Sequence, residues 1–309
     1  MKRIGIMVGR ENSLPNALIE EINRRGLDVR AEFVKIDGIR HNLTPDYDVI
    51  LDRISHEVPF YQTYLKVAAL NGTRVVCQPF YRHVDDKFLG TALVEKLGIA
   101  VPRTVALPQK ECISDITPES LRNLNYPIDW EGIMNWIGWP AIIKPHAGGG
   151  WKSVDKVTNF DELFASYDRS KQLVMIIQEF IVWEQYVRCL CIGQENILAM
   201  PWDPTLPHAD RYTKARADIA PSLMRKIEEQ ARLLCRTMGY DMNTVEFAIR
   251  DGVPYAIDFL NTAPDMDAKS LTPDQFVWAV KTMSNLLIDK ALKPAQKTAG
   301  MRWDQFLGA

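Results

Sequence analysis

The stretch Pro140–Ser153, PAIIKPHAGGGWKS, limits the fold more than any other part of the chain. Ala141, Ile142 and Ile143 read as a buried strand with Lys144 at its end. Gly148, Gly149 and Gly150 follow, a run that lets backbone approach a ligand closely, and Lys152 and Ser153 close the loop. A P-loop requires glycine directly before its lysine, and Trp151 stands there instead. The next residues, SVDKVT from Ser153 to Thr158, are β-rich where a P-loop would begin a phosphate-cradling helix. The stretch is therefore read as strand, glycine loop, strand: a flap whose backbone N–H groups and two lysines suit a triphosphate. A plain glycine-rich hairpin with solvated lysines fits the same residues, so the remainder of the chain has to decide.

At 309 residues the chain has room for two or three domains and a sizeable core. Its 37 basic and 39 acidic residues give a net charge of −2, so no overall field favours nucleic acid or a membrane surface, and partners must be recognised locally. The apolar run in Met1–Arg10 is too short for a signal peptide and no segment reads as a membrane span, which leads us to expect a cytoplasmic protein. The five cysteines are odd in number and scattered, as in a reducing compartment. Cys189 and Cys191 read as core residues of one strand, because a zinc site would want a second pair or nearby histidines.

Residues 1–100 alternate strand and helix, which implies a parallel, doubly wound α/β sheet. Ligands of such sheets gather beyond the strands' carboxyl ends. Gly9, Arg10 and Glu11 occupy one such place, and Arg53, Ser55 and His56 another. Arg53 there is either a grip for a substrate carboxylate or a surface charge beside a turn. An amphipathic helix from Asp85 closes at Gly98 and carries Lys87 in its first turn, where a cation opposes the helix dipole. Residues 109–138 read as an irregular helical insertion. Gln172–Ile181 is a buried strand ending in Glu179, which must sit at a pocket rim or pair with a lysine such as Lys144. Edge carbonyls near Phe180 and Ile181 suit an adenine amino group, and Glu184 suits ribose hydroxyls or a solvated turn. Arg188 follows on the next strand. A polar connection over 203–216 holds His208, Arg211 and Lys214, and an amphipathic helix spans Pro221–Met238.

The hairpin Asn243–Leu260, NTVEFAIRDGVPYAIDFL, can be read by parity. Val245, Phe247 and Ile249 form one apolar face, matched by Tyr255, Ile257 and Phe259, while the other face carries Glu246, Ala248, Ala256 and Asp258. A two-residue loop would set 246 opposite 257 and mix the faces, so a three-residue loop with Gly252 in the left-handed region is expected. Glu246 and Asp258 then face one another across adjacent strands. Two such carboxylates repel unless a cation or proton lies between them, which points to magnesium, usually shared with substrate phosphates. A half-exposed carboxylate pair with a lysine partner is the alternative. Asn261 would be a third ligand only if a bulge lay between it and Asp258.

Four pieces in one order, DKFLGTALVEKLGIAVPRT, PAIIKPHAGGGWKSV, QEFI with EQYVR, and VEFAIRDGVPYAIDFLN, resemble the ATP-grasp superfamily, especially its carboxylate-amine ligases related to glutathione synthetase and the ribosomal-protein glutamate ligases. The resemblance implies an α+β ATP-grasp fold behind the amino-terminal domain, divided at 1–100, 101–181 and 182–309. It implies ATP and magnesium as cofactors. Lys87 and Lys144 match the phosphate-binding lysines, residues 148–153 the mobile loop, Glu179–Ile181 the adenine segment and Glu184 the ribose carboxylate. Glu246, Asp258 and Asn261 match the magnesium ligands, although the family commonly has one residue between the last two, and here Phe259 and Leu260 intervene. Arg188 resembles the arginine near the reacting phosphate, and Lys152 and Arg211 complete the candidate catalytic cations. The implied chemistry is an acyl phosphate formed from ATP and a carboxylate, then captured by an amine, with ADP and phosphate released. No side-chain nucleophile is needed, in keeping with the absence of a Ser/His/Asp or Cys/His pattern. A kinase using the same grip, or a module that holds ATP without turnover, are the other readings. Homo-oligomerisation stays open.

Overall fold

Strands buried on both faces read as apolar runs, as residues 4–7 and 49–51 do. The computed structural model describes residues 1–80, 86–112, 115–149, 152–207, 210–215 and 218–293. It opens with β1 (Lys2–Met7), α1 (Ser13–Arg24), β2 (Val29–Phe33), β3 (Val49–Asp52), α2 (Pro59–Leu70) and β4 (Arg74–Val76). These four strands form a parallel sheet in the order β2-β1-β3-β4, as the alternation implied. Helices cover both faces. Leu14, Leu18 and Ile22 of α1 pack with Val49 and Leu51, whereas Tyr64, Leu65 and Ala68 of α2 pack with Ile50 between them on the strand.

Next come α3 (Lys87–Lys96), β5 (Thr104–Leu107), α4 (Trp130–Ile137), β6 (Ala141–Pro145), β7 (Asp155–Val157), α5 (Phe160–Ser170) and β8 (Met175–Glu179). The second sheet is antiparallel, in the order β5-β8-β6-β7. Ala141 and Ile143 of β6 point into a core with Met134, Ile137, Leu163 and Ile177. Strand alternation therefore sends Ile142 and Lys144 to the other face. The strand, glycine loop, strand order is present, with β6 and β7 paired on either side of the loop.

The third sheet is built from β9 (Gln185–Ile192), β10 (Asn196–Pro201), β11 (Met242–Arg250) and β12 (Val253–Asp258), in the antiparallel order β10-β9-β11-β12, with α6 (Pro221–Met238) and α7 (Pro273–Leu292) between and after them. Val187, Cys189, Cys191, Val245, Phe247 and Ile249 face α6. The two cysteines are core residues, as their parity suggested. On the opposite face, Leu190, Ile192 and Met242 pack against α7, whose start is fixed by a capping box of Thr272 and Gln275. Helix α7 also packs on α1 and the first sheet, tying the end of the described chain to its beginning. We propose the boundaries 1–100, 101–181 and 182–309 for the three units, because each sheet's strands fall within one of these segments.

The hairpin differs from the sequence expectation. Arg250 pairs with Val253, so the loop is the two residues Asp251 and Gly252, both with positive φ (52° and 70°). Ala248 faces Tyr255 and Phe247 faces Ala256, after which a bulge shifts the register and Glu246 faces Asp258. Parity had excluded the short loop because 246 would meet 257. The bulge absorbs that extra residue before Asp258, not after it as the Asn261 argument required. Ala256 and Phe259, rather than Tyr255 and Ile257, therefore join Phe247 in the α6 core, and Tyr255 and Ile257 lie with Tyr186 and Ala248 on the other side.

Candidate functional site

Because β9 and β11 alternate, the face of the third sheet away from α6 carries residues 186, 188, 246 and 248. Register aligns Met200, Arg188, Glu246 and Asp258 in one row across the four strands. The Arg188 and Glu246 side chains are only 12% and 13% exposed, and Arg188 Nε is 3.4 Å from Glu246 Oε1. The Tyr186 hydroxyl donates to Glu246 Oε2 at 2.5 Å. Burial pushes the Glu246 carboxyl above its ordinary range; Asp258 pushes the same way, against Arg188, Tyr186 and Lys144.

Lys144 approaches this row from the second sheet, with Nζ 3.5 Å from the Ile257 carbonyl oxygen. Burial lowers its ammonium pKa and neighbouring Lys87 adds to that, while Asp258 and Glu246 oppose it. Lys87, Lys144, Gln178, Thr91 and Asp258 line a single cleft. The basic flap and the acidic hairpin thus face each other. Two local features place Lys87. Asp86 caps α3 by accepting from Phe88 and Leu89 N–H, which offsets the unfavourable first-turn lysine. At Gly90 a Cβ would come within 3.1 Å of Leu260 Cδ1 and 3.2 Å of Phe259 Cε2, so glycine lets the helix settle against the hairpin. The Lys87 N–H donates to the His146 carbonyl at 2.8 Å and its ammonium donates to the Gly148 carbonyl, joining α3 to the glycine loop.

Gly148, Gly149, Lys152 and Ser153 are exposed, and Gly148 and Ser153 take positive φ (91° and 56°). Gly150, Trp151 and His208 lie outside the described residues. Glu184 is exposed at the turn before β9. Ile181 is buried, and the Phe180 ring lies 4.0 Å from Lys156 Nζ. Strand β8 is inside its sheet rather than at an edge, so carbonyls free for an adenine are those beyond Glu179. Arg211 stacks on Trp202 at 5.4 Å and donates to the Leu206 carbonyl at 3.1 Å. Asn261 turns back on its own backbone, its Oδ1 accepting from Ala263 N–H at 3.3 Å.

Two pairings differ from expectation. Glu179 lies on the face of its sheet opposite Lys144 and pairs instead with Arg103 (3.0 Å) and Arg250 (2.9 Å), linking the second sheet to the hairpin. Burial alone would raise its carboxyl, but the hydrogen bonds from Arg250 and Arg103 hold it below the ordinary 4.5. A depressed carboxyl stabilises the fold above its unfolded pKa and loses that contribution as pH falls through the folded value. The stability gap between the wild type and Glu179→Gln should therefore narrow on acidification below about pH 4.5, as read from chemical denaturation across pH; a gap that widened would contradict the pairing. Arg53 is neither a substrate grip nor a surface charge. It is 7% exposed, pairs with Glu11 at 2.5 Å and donates to the Pro264 carbonyl at 2.7 Å. Sequence reasoning missed Tyr186, Trp202 and Tyr212. The Tyr186 signal was its parity, two residues before Arg188 on the same face.

Glu246 and Asp258 are hard oxygen donors set opposite one another in register, and burial together with the facing Asp258 disfavours a charged Glu246 without a cation. Among the described residues no cluster of three or more His, Cys, Asp or Glu side chains gathers. As two facing carboxylates, the pair is of the kind magnesium takes, which characteristically binds one or two carboxylates and completes its shell with water and phosphate oxygens.

No family model matches the chain. A D-alanine–D-alanine ligase of Clostridium botulinum is 29% identical over 164 residues, covering 47% of this chain and 51% of the relative. The chain thus spans about half the length of that curated relative. A Bacillus anthracis D-alanine–D-alanine ligase complexed with ATP superposes with a TM-score of 0.63 at 16% identity, covering 94% of this chain and 97% of the other. A RimK-domain ATP-grasp protein of Sphaerobacter thermophilus gives 0.66 at 18% identity, covering 94% and 100%. The architecture, a doubly wound sheet followed by two antiparallel sheets that face each other across a cleft, is the ATP-grasp fold. Among the described residues no helix is long and apolar enough to cross a membrane.

Proposed function

We propose that the chain is an ATP-dependent, cytoplasmic ligase that joins a small carboxylic acid to an amine, releasing ADP and phosphate. The observation that carries this reading is the row Arg188, Glu246, Asp258, continued by Lys144 and Lys87 in one cleft. It provides cations for phosphate oxygens on both sides of a carboxylate pair suited to magnesium.

In this reading Lys87 and Lys144 hold the ATP phosphates, residues 148–153 cover them, residues 179–181 face adenine and Glu184 accepts from ribose. Glu246 and Asp258, with Asn261 if its amide turns outward, would hold magnesium, which when bound supplies positive charge against phosphate oxygens. A carboxylate oxygen of the acid attacks the γ-phosphorus, the bond from phosphorus to the ADP oxygen breaks, and an acyl phosphate results. Arg188, with Lys152 and Arg211 as further candidates, neutralises charge on the transferred phosphoryl group. The amine nitrogen then attacks the acyl carbon, the carbon–oxygen bond to phosphate breaks, and the nitrogen loses a proton to solvent. Covering the cleft excludes water that would hydrolyse the intermediate.

The matched sequence relative makes amino acids the first acids and amines to try. ADP release, followed with pairs of amino acids, short peptides and small acids, should be sustained only when both an acid and an amine are present. Sustained release with a single acceptor would identify a kinase instead.

A further inference from the structure

Five buried side-chain polar atoms among the described residues have no hydrogen-bond partner, and three of them, Arg188 Nε, Trp202 Nε1 and Tyr212 OH, belong to adjoining side chains beside the candidate site. Arg188 Cζ lies 5.2 Å from the Trp202 ring centroid, and the Trp202 and Tyr212 rings are 6.4 Å apart. Trp202 is 3% exposed. Arg188 Nε is ion-paired with Glu246 Oε1 at 3.4 Å, outside hydrogen-bond geometry, whereas the Trp202 indole N–H and the Tyr212 hydroxyl have no acceptor; burying a donor without a partner is costly, so these two imply that something accepts from them. The indole N–H and the guanidinium Nε–H can only donate. Their occupant is therefore an acceptor, and the charge around it says which kind. Arg188 and Arg211 both stack on Trp202, at 5.2 and 5.4 Å, which favours an anion.

Position narrows the choice further. The Trp202 backbone N–H donates to the Tyr186 carbonyl at 3.0 Å, which places Trp202 on the β10 side of Arg188, away from Asp258 and Lys144. The cluster thus sits beyond the end of the charged row that would hold the nucleotide phosphates, where a second reactant meets the transferred phosphoryl group. Trp202 and Arg188 are fixed by the sheet. Tyr212 and Arg211 come from residues 210–215, which pack over Trp202.

We infer that the Trp202 indole N–H and the Tyr212 hydroxyl, together with Arg188, form the subsite that receives the carboxylate of the acid substrate. The inference rests on the ligase reading for its choice of anion. It makes Trp202 and Tyr212 determinants of acid affinity with no part in nucleotide affinity.

Trp202→Phe and Tyr212→Phe each delete one donor and keep a ring. With ATP and acid varied separately in the ADP-release assay, each variant should raise KM for the acid about 10-fold, as expected for a hydrogen bond to a charged group, and leave KM for ATP within about twofold. An unchanged KM for the acid, or an equal rise in both constants, would overturn the assignment. A binding measurement on the wild type does not depend on turnover or on the variants' stability. In a 15N-indole NMR titration with sodium acetate, the Trp202 resonance, identified by its absence from W202F, should shift saturably. A resonance that stays in place overturns the subsite. A saturable shift in a protein for which no acid and amine pair sustains ADP release leaves the anion subsite standing and removes the ligase reading.

Discussion

Glu246→Gln is expected to lower kcat/KM by about 10³-fold, because it removes one charge of a carboxylate pair whose work is to hold positive charge against the phosphates. The side chain keeps its volume and its acceptor oxygen for the Tyr186 hydroxyl, now 2.5 Å away. The loss should therefore appear in turnover rather than in the fold. Burial and Asp258 already press the Glu246 carboxyl toward its neutral form, and only Arg188, Tyr186 and Lys144 work against them. Asp258, directly opposite in register, cannot replace the missing charge from its own strand. Thermal unfolding beside the kinetics separates the two effects. Activity within about threefold of wild type would remove Glu246 from the site.

Lys144→Met should separate activity from stability in a second way. The ammonium is held by the Ile257 carbonyl at a long 3.5 Å, and burial lowers its pKa. Methionine of similar length fills the same space without that desolvation, so the fold should change by no more than about 1 kcal/mol in either direction. The same change removes a cation from the phosphate cleft and should lower kcat/KM for ATP about 10²-fold. A variant that loses stability but keeps its ATP kinetics would identify Lys144 as a structural residue and contradict the proposed role.

The third sheet explains which features were legible in the sequence. Side chains alternate along β11, so the face that carries Glu246 was legible from Val245, Phe247 and Ile249; on β12 the apolar pattern put Tyr255 and Ile257 on the wrong face, and Asp258 meets Glu246 only through the bulge. The route between them did not follow, because an Asp-Gly turn with two positive φ values and a compensating bulge gives the same facing as a longer loop. The parallel first sheet was legible for a related reason: strands such as Val49–Asp52, which is apolar up to its final aspartate, are separated by helical periods. Pairings between distant segments were not legible. Glu179 finds Arg103 and Arg250, and Arg53 finds Glu11 and the Pro264 carbonyl, through packing of whole elements that no local pattern encodes. Trp202 and Tyr212 were missed for the same reason, since an aromatic residue in a polar connection gives no sign of which sheet it will cover.

The most direct test of the central claim follows one oxygen atom. With an acid labelled by 18O in its carboxylate, in a pair that sustains ADP release, an acyl phosphate intermediate transfers one label to the phosphate released in each turnover. That transfer is the predicted result. Phosphate released without label, while product accumulates at the same rate, would contradict the account.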